Sequence, residues 1–147
     1  MMKKVNPSKK IYIAASRIHK AGRGVFAGEN IRGGGIIEVC PVIVVSQKER
    51  FLLRKTSLVN YYFLWGKQKR KNLRTAAICL GYGSLYNHSF RPNAQYKKDV
   101  AASVILFSAL RDIKKDEEIT INYNGNPKDL KDIWIKGIPT AKVELNN

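Results

Sequence analysis

Between residues 21 and 35 the chain reads AGRGVFAGENIRGGG, six glycines in fifteen residues. Each glycine costs a helix about 1 kcal/mol relative to alanine, and a cluster of them demands turns and positive φ angles. That stretch cannot be helical, and its surroundings point the same way. Ile11–Ala15 reads as a first strand, and Ile36–Val45 (IIEVCPVIVV) as a buried β-branched strand in which Pro41 implies a bulge or an edge. Residues 75–80 form another short apolar segment. Residues 102–110 (ASVILFSAL) predict a strong strand, and residues 119–123 (ITINY) a last, alternating one. Ser46-Gln47-Lys48-Glu49 has the form of a capping box, followed by Phe51, Leu52, Thr56, Leu58 and Val59 at imperfect helical spacing. The expectation is a mainly β domain of many short strands, one substantial helix and long connections, preceded by a flexible basic arm over residues 1–10.

A chain of 147 residues with 44% apolar content buries roughly two-thirds of its unfolded surface, enough for one domain without staples. Two cysteines, Cys40 and Cys79, and two histidines, His19 and His88, are too few for a structural zinc site, so no metal is expected. Both thiols read as reduced core residues. The N-terminus MMKKVNPSKK has no apolar stretch and no small-residue cleavage site, and the longest apolar run is broken by Glu38 and Pro41. These features predict a soluble protein without a membrane partner or classical signal peptide, cytoplasmic or associated with a nucleoid or chromatin, with non-classical secretion into a host left open. The 27 Lys+Arg against 11 Asp+Glu leave +16, a field that draws nucleic acid or acidic proteins.

Gly22-Arg23-Gly24-Val25-Phe26-Ala27 formally matches the GxGxxA dinucleotide fingerprint, but that motif must open a helix, and Gly28 and Gly33-Gly34-Gly35 follow instead. A hairpin glycine pair without a ligand is the plainer reading of this loop alone. Downstream, GYGSLYNHSFRPN (residues 81–93) packs turn formers, aromatic rings and groups that both donate and accept into thirteen residues. An isolated Asn87-His88 pair reads as a turn cap beside a satisfied histidine. This pair is followed by RDIKKDEEITINY (residues 111–123), a charged turn leading into a strand that ends in Tyr123.

Taken in order, GRGVFA, GYGSLYNHSFRPNA and LRDIKKDEEITINY resemble the signature segments of the SET domain of protein-lysine methyltransferases, over residues 11–125. The short form, without zinc-binding flanks, looks most like compact bacterial or viral SET proteins. The resemblance implies several small curved β-sheets, with a C-terminal segment threaded beneath a loop as a pseudoknot. It also implies S-adenosyl-L-methionine as cofactor, released as S-adenosyl-L-homocysteine. Backbone groups around Arg23, Gly24 and Val25 would receive it, Asn87 and the His88 backbone would bond its amino-acid and adenine parts, and Trp134 would fold over the adenine, with packing as a plain hydrophobic anchor as the alternative. Tyr123 would stand at the transfer point as the catalytic residue and also as a cofactor-binding one, its hydroxyl orienting the amine and helping to fix the methyl donor. Residues 126–147, lacking the cysteine cluster of many relatives, would close the site by packing alone.

Lysine, with a pKa of about 10.4, must lose its proton before it can attack a sulfonium methyl, and a water-poor aromatic channel favours that loss. Tyr61, Tyr62, Phe63 and Trp65 are candidates for the channel wall, with ordinary core packing as the alternative. Ile121, two residues before the tyrosine, stands where relatives frequently carry Phe or Tyr, which implies room for higher methylation. Glu118 reads as structural, the basic run of residues 67–74 as a solvated loop, and Glu38, Glu49 and Asp99 as unranked candidates for contacting a basic substrate. The expected acceptor is a histone, histone-like or other basic protein, and a homodimer is possible. The competing reading is a non-catalytic basic module that uses the scaffold to bind DNA or RNA.

Overall fold

The computed structural model describes residues 7–66 and 74–133. Residues 1–6 of the basic arm, residues 67–73 of the basic run, and Trp134 with the rest of 134–147 lie outside that range. The described end of the arm is docked. Ser8 Oγ donates to the Ile37 carbonyl at 2.7 Å and Lys10 Nζ to the Ile36 carbonyl at 3.1 Å.

Strand β1 (Ile11–Ala15) pairs antiparallel with β2 (Arg23–Ala27), whose second residue is Gly24 of the glycine-rich segment. Gly22, just before β2, has φ +75°, a backbone shape that a side chain would strain. β3 (Ile36–Val45) is long, and Pro41 marks where it changes neighbours. Residues up to Pro41 pair with β8 (Val104–Ala109), whereas Val42 to Val45 pair with β5 (Thr75–Cys79). The irregularity expected at Pro41 lies instead between Ile36 and Glu38, where the register shifts. Nor is β3 buried throughout, for Ile43 and Val44 near its end are exposed.

The capping box forms as the sequence predicts. Ser46 Oγ accepts from the Glu49 N–H, and Glu49 accepts from the Ser46 N–H at 2.7 Å, opening α1 (Gln47–Leu53). The helix is shorter than the apolar spacing suggests, because Thr56 starts a separate 3₁₀ turn over Ser57–Asn60. β4 (Tyr62–Trp65) and β5 follow, then the two-residue β6 (Asn87–His88), β7 (Ala94–Asp99), β8 and β9 (Glu118–Ile121). One sheet runs β1-β2-β9-β6 and the other β4-β5-β3-β8-β7. Val25, Ile37, Cys40, Tyr86, Ile105, Phe107, Ile119 and Ile121 fill the core, and both cysteines are free and buried. The mainly β expectation holds. β9 does not alternate, however. All four of its residues are buried, because β2 flanks it on one edge and β6 on the other. Among the described residues no helix is long and apolar enough to cross a membrane.

Candidate active site

The functional segments meet at β9. Its antiparallel contact with β2 sets Phe26 opposite Glu118 and Val25 opposite Ile119, while its parallel contact with β6 sets Asn87 opposite Thr120 and His88 opposite Ile121. Only two residues pair in parallel, so side chains complete the join. Asn93, buried, donates from Nδ2 to the Glu118 carbonyl and accepts at Oδ1 from the Thr120 N–H, each at 2.9 Å, as a neighbouring strand would. The Ser89 N–H donates to the Ile121 carbonyl at 2.9 Å. These contacts tie the Asn87–Asn93 stretch to the strand leading into Tyr123, the crossing that the resemblance implied.

Tyr123 is held at both ends. Its backbone N–H donates to His88 Nδ1 at 3.1 Å, and its phenol donates to the Tyr86 carbonyl at 2.8 Å. Burial, reinforced by the neighbouring Tyr61 phenol, pushes the Tyr123 hydroxyl well above its ordinary pKa, so it stays protonated. His88 is wholly buried, and burial lowers its pKa to about 4. The ring is therefore neutral, and because Nδ1 accepts, its proton sits on Nε2. That nitrogen is buried with no hydrogen-bond partner among the described residues.

On the β2 side, the Glu118 carboxylate collects hydrogen bonds from Ser16 Oγ at 2.7 Å, the Arg17 N–H at 2.7 Å and Asn87 Nδ2 at 2.9 Å. The Asn87 amide also donates to the Arg23 carbonyl at 2.9 Å. Gly24 is required by this cluster, since a Cβ there would fall 2.3 Å from Glu118 Oε1 and 3.2 Å from Asn87 Nδ2. Arg23, Gly24 and Asn87 are thus gathered in one place, with the Arg23 guanidinium 6.0 Å from the Tyr61 ring. Val25 lies one residue farther along β2, its side chain fully in the core.

A cavity of about 210 Å³ lies against Tyr123. Tyr61, Tyr62, Phe63 and Ile121, named above for the acceptor channel, line it. Trp65 does not. It is 4% exposed and packed in the core, at the far end of β4 from the cavity, two strand residues beyond Phe63. Tyr86, Tyr96, Lys98, Arg74 and Ser84 contribute to the wall and were missed. Tyr96 and Lys98 share a face of β7, but the polar sequence AQYKKD gives no hydrophobic alternation to reveal a strand. Ser84 hydroxyl donates to the Tyr61 carbonyl at 2.7 Å and so positions the wall.

The three acidic candidates are engaged elsewhere. Glu38 is buried and accepts from the Tyr82 N–H and the Tyr86 hydroxyl. Glu49 belongs to the capping box, and Asp99 accepts from the Ala102 N–H in a turn. No group of His, Cys, Asp and Glu among the described residues could hold a metal ion.

The SET-domain family profile matches residues 22–124. A Schizosaccharomyces pombe histone-lysine N-methyltransferase described as specific for H3 lysine-37 is 36% identical over 105 residues, 71% of this chain and 67% of that protein. Among solved structures, a Plasmodium falciparum protein proposed to be a histone methyltransferase is 38% identical with a TM-score of 0.60, covering 78% of this chain and 93% of that one. Polycomb repressive complex 2 of Chaetomium thermophilum, bound to S-adenosylmethionine, shares the fold at 22% identity and TM-score 0.64, over 79% of this chain and 15% of that one. With the profile spanning the glycine strand, the Asn-His-Ser loop and the terminal tyrosine, the chain belongs to the SET-domain family.

Proposed function

We propose that this chain is an S-adenosyl-L-methionine-dependent protein-lysine N-methyltransferase with Tyr123 at the transfer point and a histone or other basic protein as acceptor. The observation that carries the assignment of Tyr123 is its phenol, fixed on the Tyr86 carbonyl, in the wall of an aromatic cavity and beside the Asn87-His88 pair. Histone H3 is the first acceptor to try, because the 36% identical relative is described as specific for an H3 lysine.

The residues present fit the cofactor. The Asn87 amide nitrogen is spent on Arg23, Ser16 and Glu118, which leaves its oxygen to accept from an ammonium. Arg23 is exposed beside it, with a guanidinium suited to a carboxylate. His88, neutral, offers its backbone and an unpartnered Nε2. When bound, S-adenosylmethionine supplies an electrophilic methyl on a sulfonium and departs as S-adenosylhomocysteine.

The chain's own part is alignment and control of protonation. Tyr61, Tyr62, Phe63 and Tyr123 exclude water around an acceptor lysine, disfavouring its ammonium form. The Tyr123 hydroxyl, protonated and oriented, positions the amine and does not act as a base. Holding the reacting atoms in line supplies most of the rate. Ile121, buried at the cavity wall, leaves more room than an aromatic ring would, which favours more than one methyl per lysine. Residues 126–133 help to close the site. Asn122 and Asn124 side chains donate to the Asp129 and Lys131 carbonyls at 2.6 and 2.7 Å, drawing the C-terminal segment back towards Tyr123. The +16 charge tethers the enzyme to chromatin.

The test is incubation with labelled S-adenosylmethionine and a panel of histones, alongside calorimetric titration of the methyl donor. A labelled histone band with donor binding is expected. DNA binding without donor binding or transfer would establish the non-catalytic module instead.

A further inference from the structure

The cavity beside Tyr123 carries two cationic side chains, Arg74 and Lys98, and no carboxylate among the described residues that line it. This is unexpected in a site meant to receive lysine. Lys98 reaches from β7 to the opposite wall, where Nζ donates to the Leu64 carbonyl of β4 at 2.6 Å. The same nitrogen lies 5.7 Å from the centroid of Tyr96. Tyr96 in turn meets Phe63 edge-on at 5.0 Å, and its hydroxyl donates to the Tyr123 carbonyl at 3.4 Å. Lys98 therefore bridges the aromatic wall and the strand packed beside the catalytic tyrosine.

Exclusion of water disfavours the ammonium of an incoming lysine, but aromatic faces attract cations and offset part of that effect. A fixed like charge works against that preference. Resting on the methyltransferase reading above, we infer that Lys98 is a positioning residue of the acceptor cavity. Its ammonium anchors the Leu64 carbonyl and places a positive charge near the entering lysine, which shifts that lysine towards its neutral amine.

Other charged or titratable groups face this region. Arg74 and the phenols of Tyr61, Tyr62, Tyr86, Tyr96 and Tyr123 line it, Cys79 on β5 acts on Lys98, and Glu38 on β3 accepts from the Tyr86 hydroxyl. Lys98 itself already registers the balance. Burial first, and Arg74 second, lower its pKa, against a smaller opposing effect of Cys79.

Single-turnover methylation of the histone that the wild type labels best, measured against pH, tests the inference. Lys98→Met removes the charge and keeps the stem, Lys98→Arg keeps the charge, and Arg74→Gln removes the second cation from a different segment. In Lys98→Met and Arg74→Gln the acid limb of the rate profile moves up by about one pH unit, while Lys98→Arg stays at the wild-type position. Should Lys98→Met fail a thermal-melting check, Arg74→Gln carries the same comparison. A rate reduced by one constant factor at every pH, or an unmoved limb, overturns the inference alone. Absence of transfer by the wild type would overturn the methyltransferase reading, and this inference with it.

Discussion

The backbone N–H of Tyr123 points at Nδ1 of His88, 3.1 Å away, across thirty-five residues of chain. One contact thereby fixes the tautomer of a buried imidazole and the place of the Tyr123 phenol.

Folded His88 holds its proton more weakly than the unfolded chain, about 4 against an ordinary 6.5. Acid then favours unfolding. The stability that this neutral ring preserves above about pH 6.5 is lost progressively as pH falls towards 4. Between about pH 7.5 and about pH 5 the loss amounts to about 2 kcal/mol. Urea unfolding of wild type and His88→Asn at both pH values checks it, with the variant showing a flatter dependence.

Tyr123→Phe deletes the donor to the Tyr86 carbonyl and is expected to cost only about 1 kcal/mol of stability. Its methyl-transfer rate falls by about a hundredfold, because the amine loses its orienting partner. Donor affinity, read by calorimetry, changes little. A wild-type rate in the labelled-methyl assay would remove Tyr123 from the transfer point.

Gly24→Ala forces a Cβ into the Glu118 carboxylate and displaces Asn87. A loss of about 1–3 kcal/mol in chemical denaturation is expected, together with weaker binding of S-adenosylmethionine. Glu118→Gln leaves Gly24 unobstructed but puts an amide where three donors converge, costing about 2 kcal/mol.

Ile121→Phe narrows the cavity wall next to Tyr123. Mass spectrometry of the modified histone should then show product shifted towards monomethyl lysine relative to wild type. An unchanged distribution would mean that this position does not set the number of methyls.

How much of this was readable beforehand depended on the kind of signal. The capping box and the hairpin around the glycines are local, and both were found because neighbouring residues dictate them. The strand order around β9 is not local. ITINY looks half-exposed, yet Thr120 and Asn122 are buried, the Thr120 N–H satisfied by the distant Asn93 side chain and the Asn122 amide by the Asp129 carbonyl seven residues on. Tyr61, Tyr62 and Phe63 reached the cavity, and Trp65 did not, since a run of aromatic residues does not reveal how far along a strand the cavity extends. Glu38 shows the opposite error. Its charge suggested a surface role, whereas it is consumed by Tyr82 and Tyr86.

The side-chain and backbone bonds that lace β9 and Tyr123 into place join residues separated by 25 to 102 positions. Such high contact order predicts slow folding, because long loops must close before any of these contacts is rewarded. During synthesis β9 and Tyr123 must both have emerged before the distant segments they join can meet. A nascent chain ending before β9 would have every strand of the second sheet but neither β9 nor Tyr123 to gather the segments of the first.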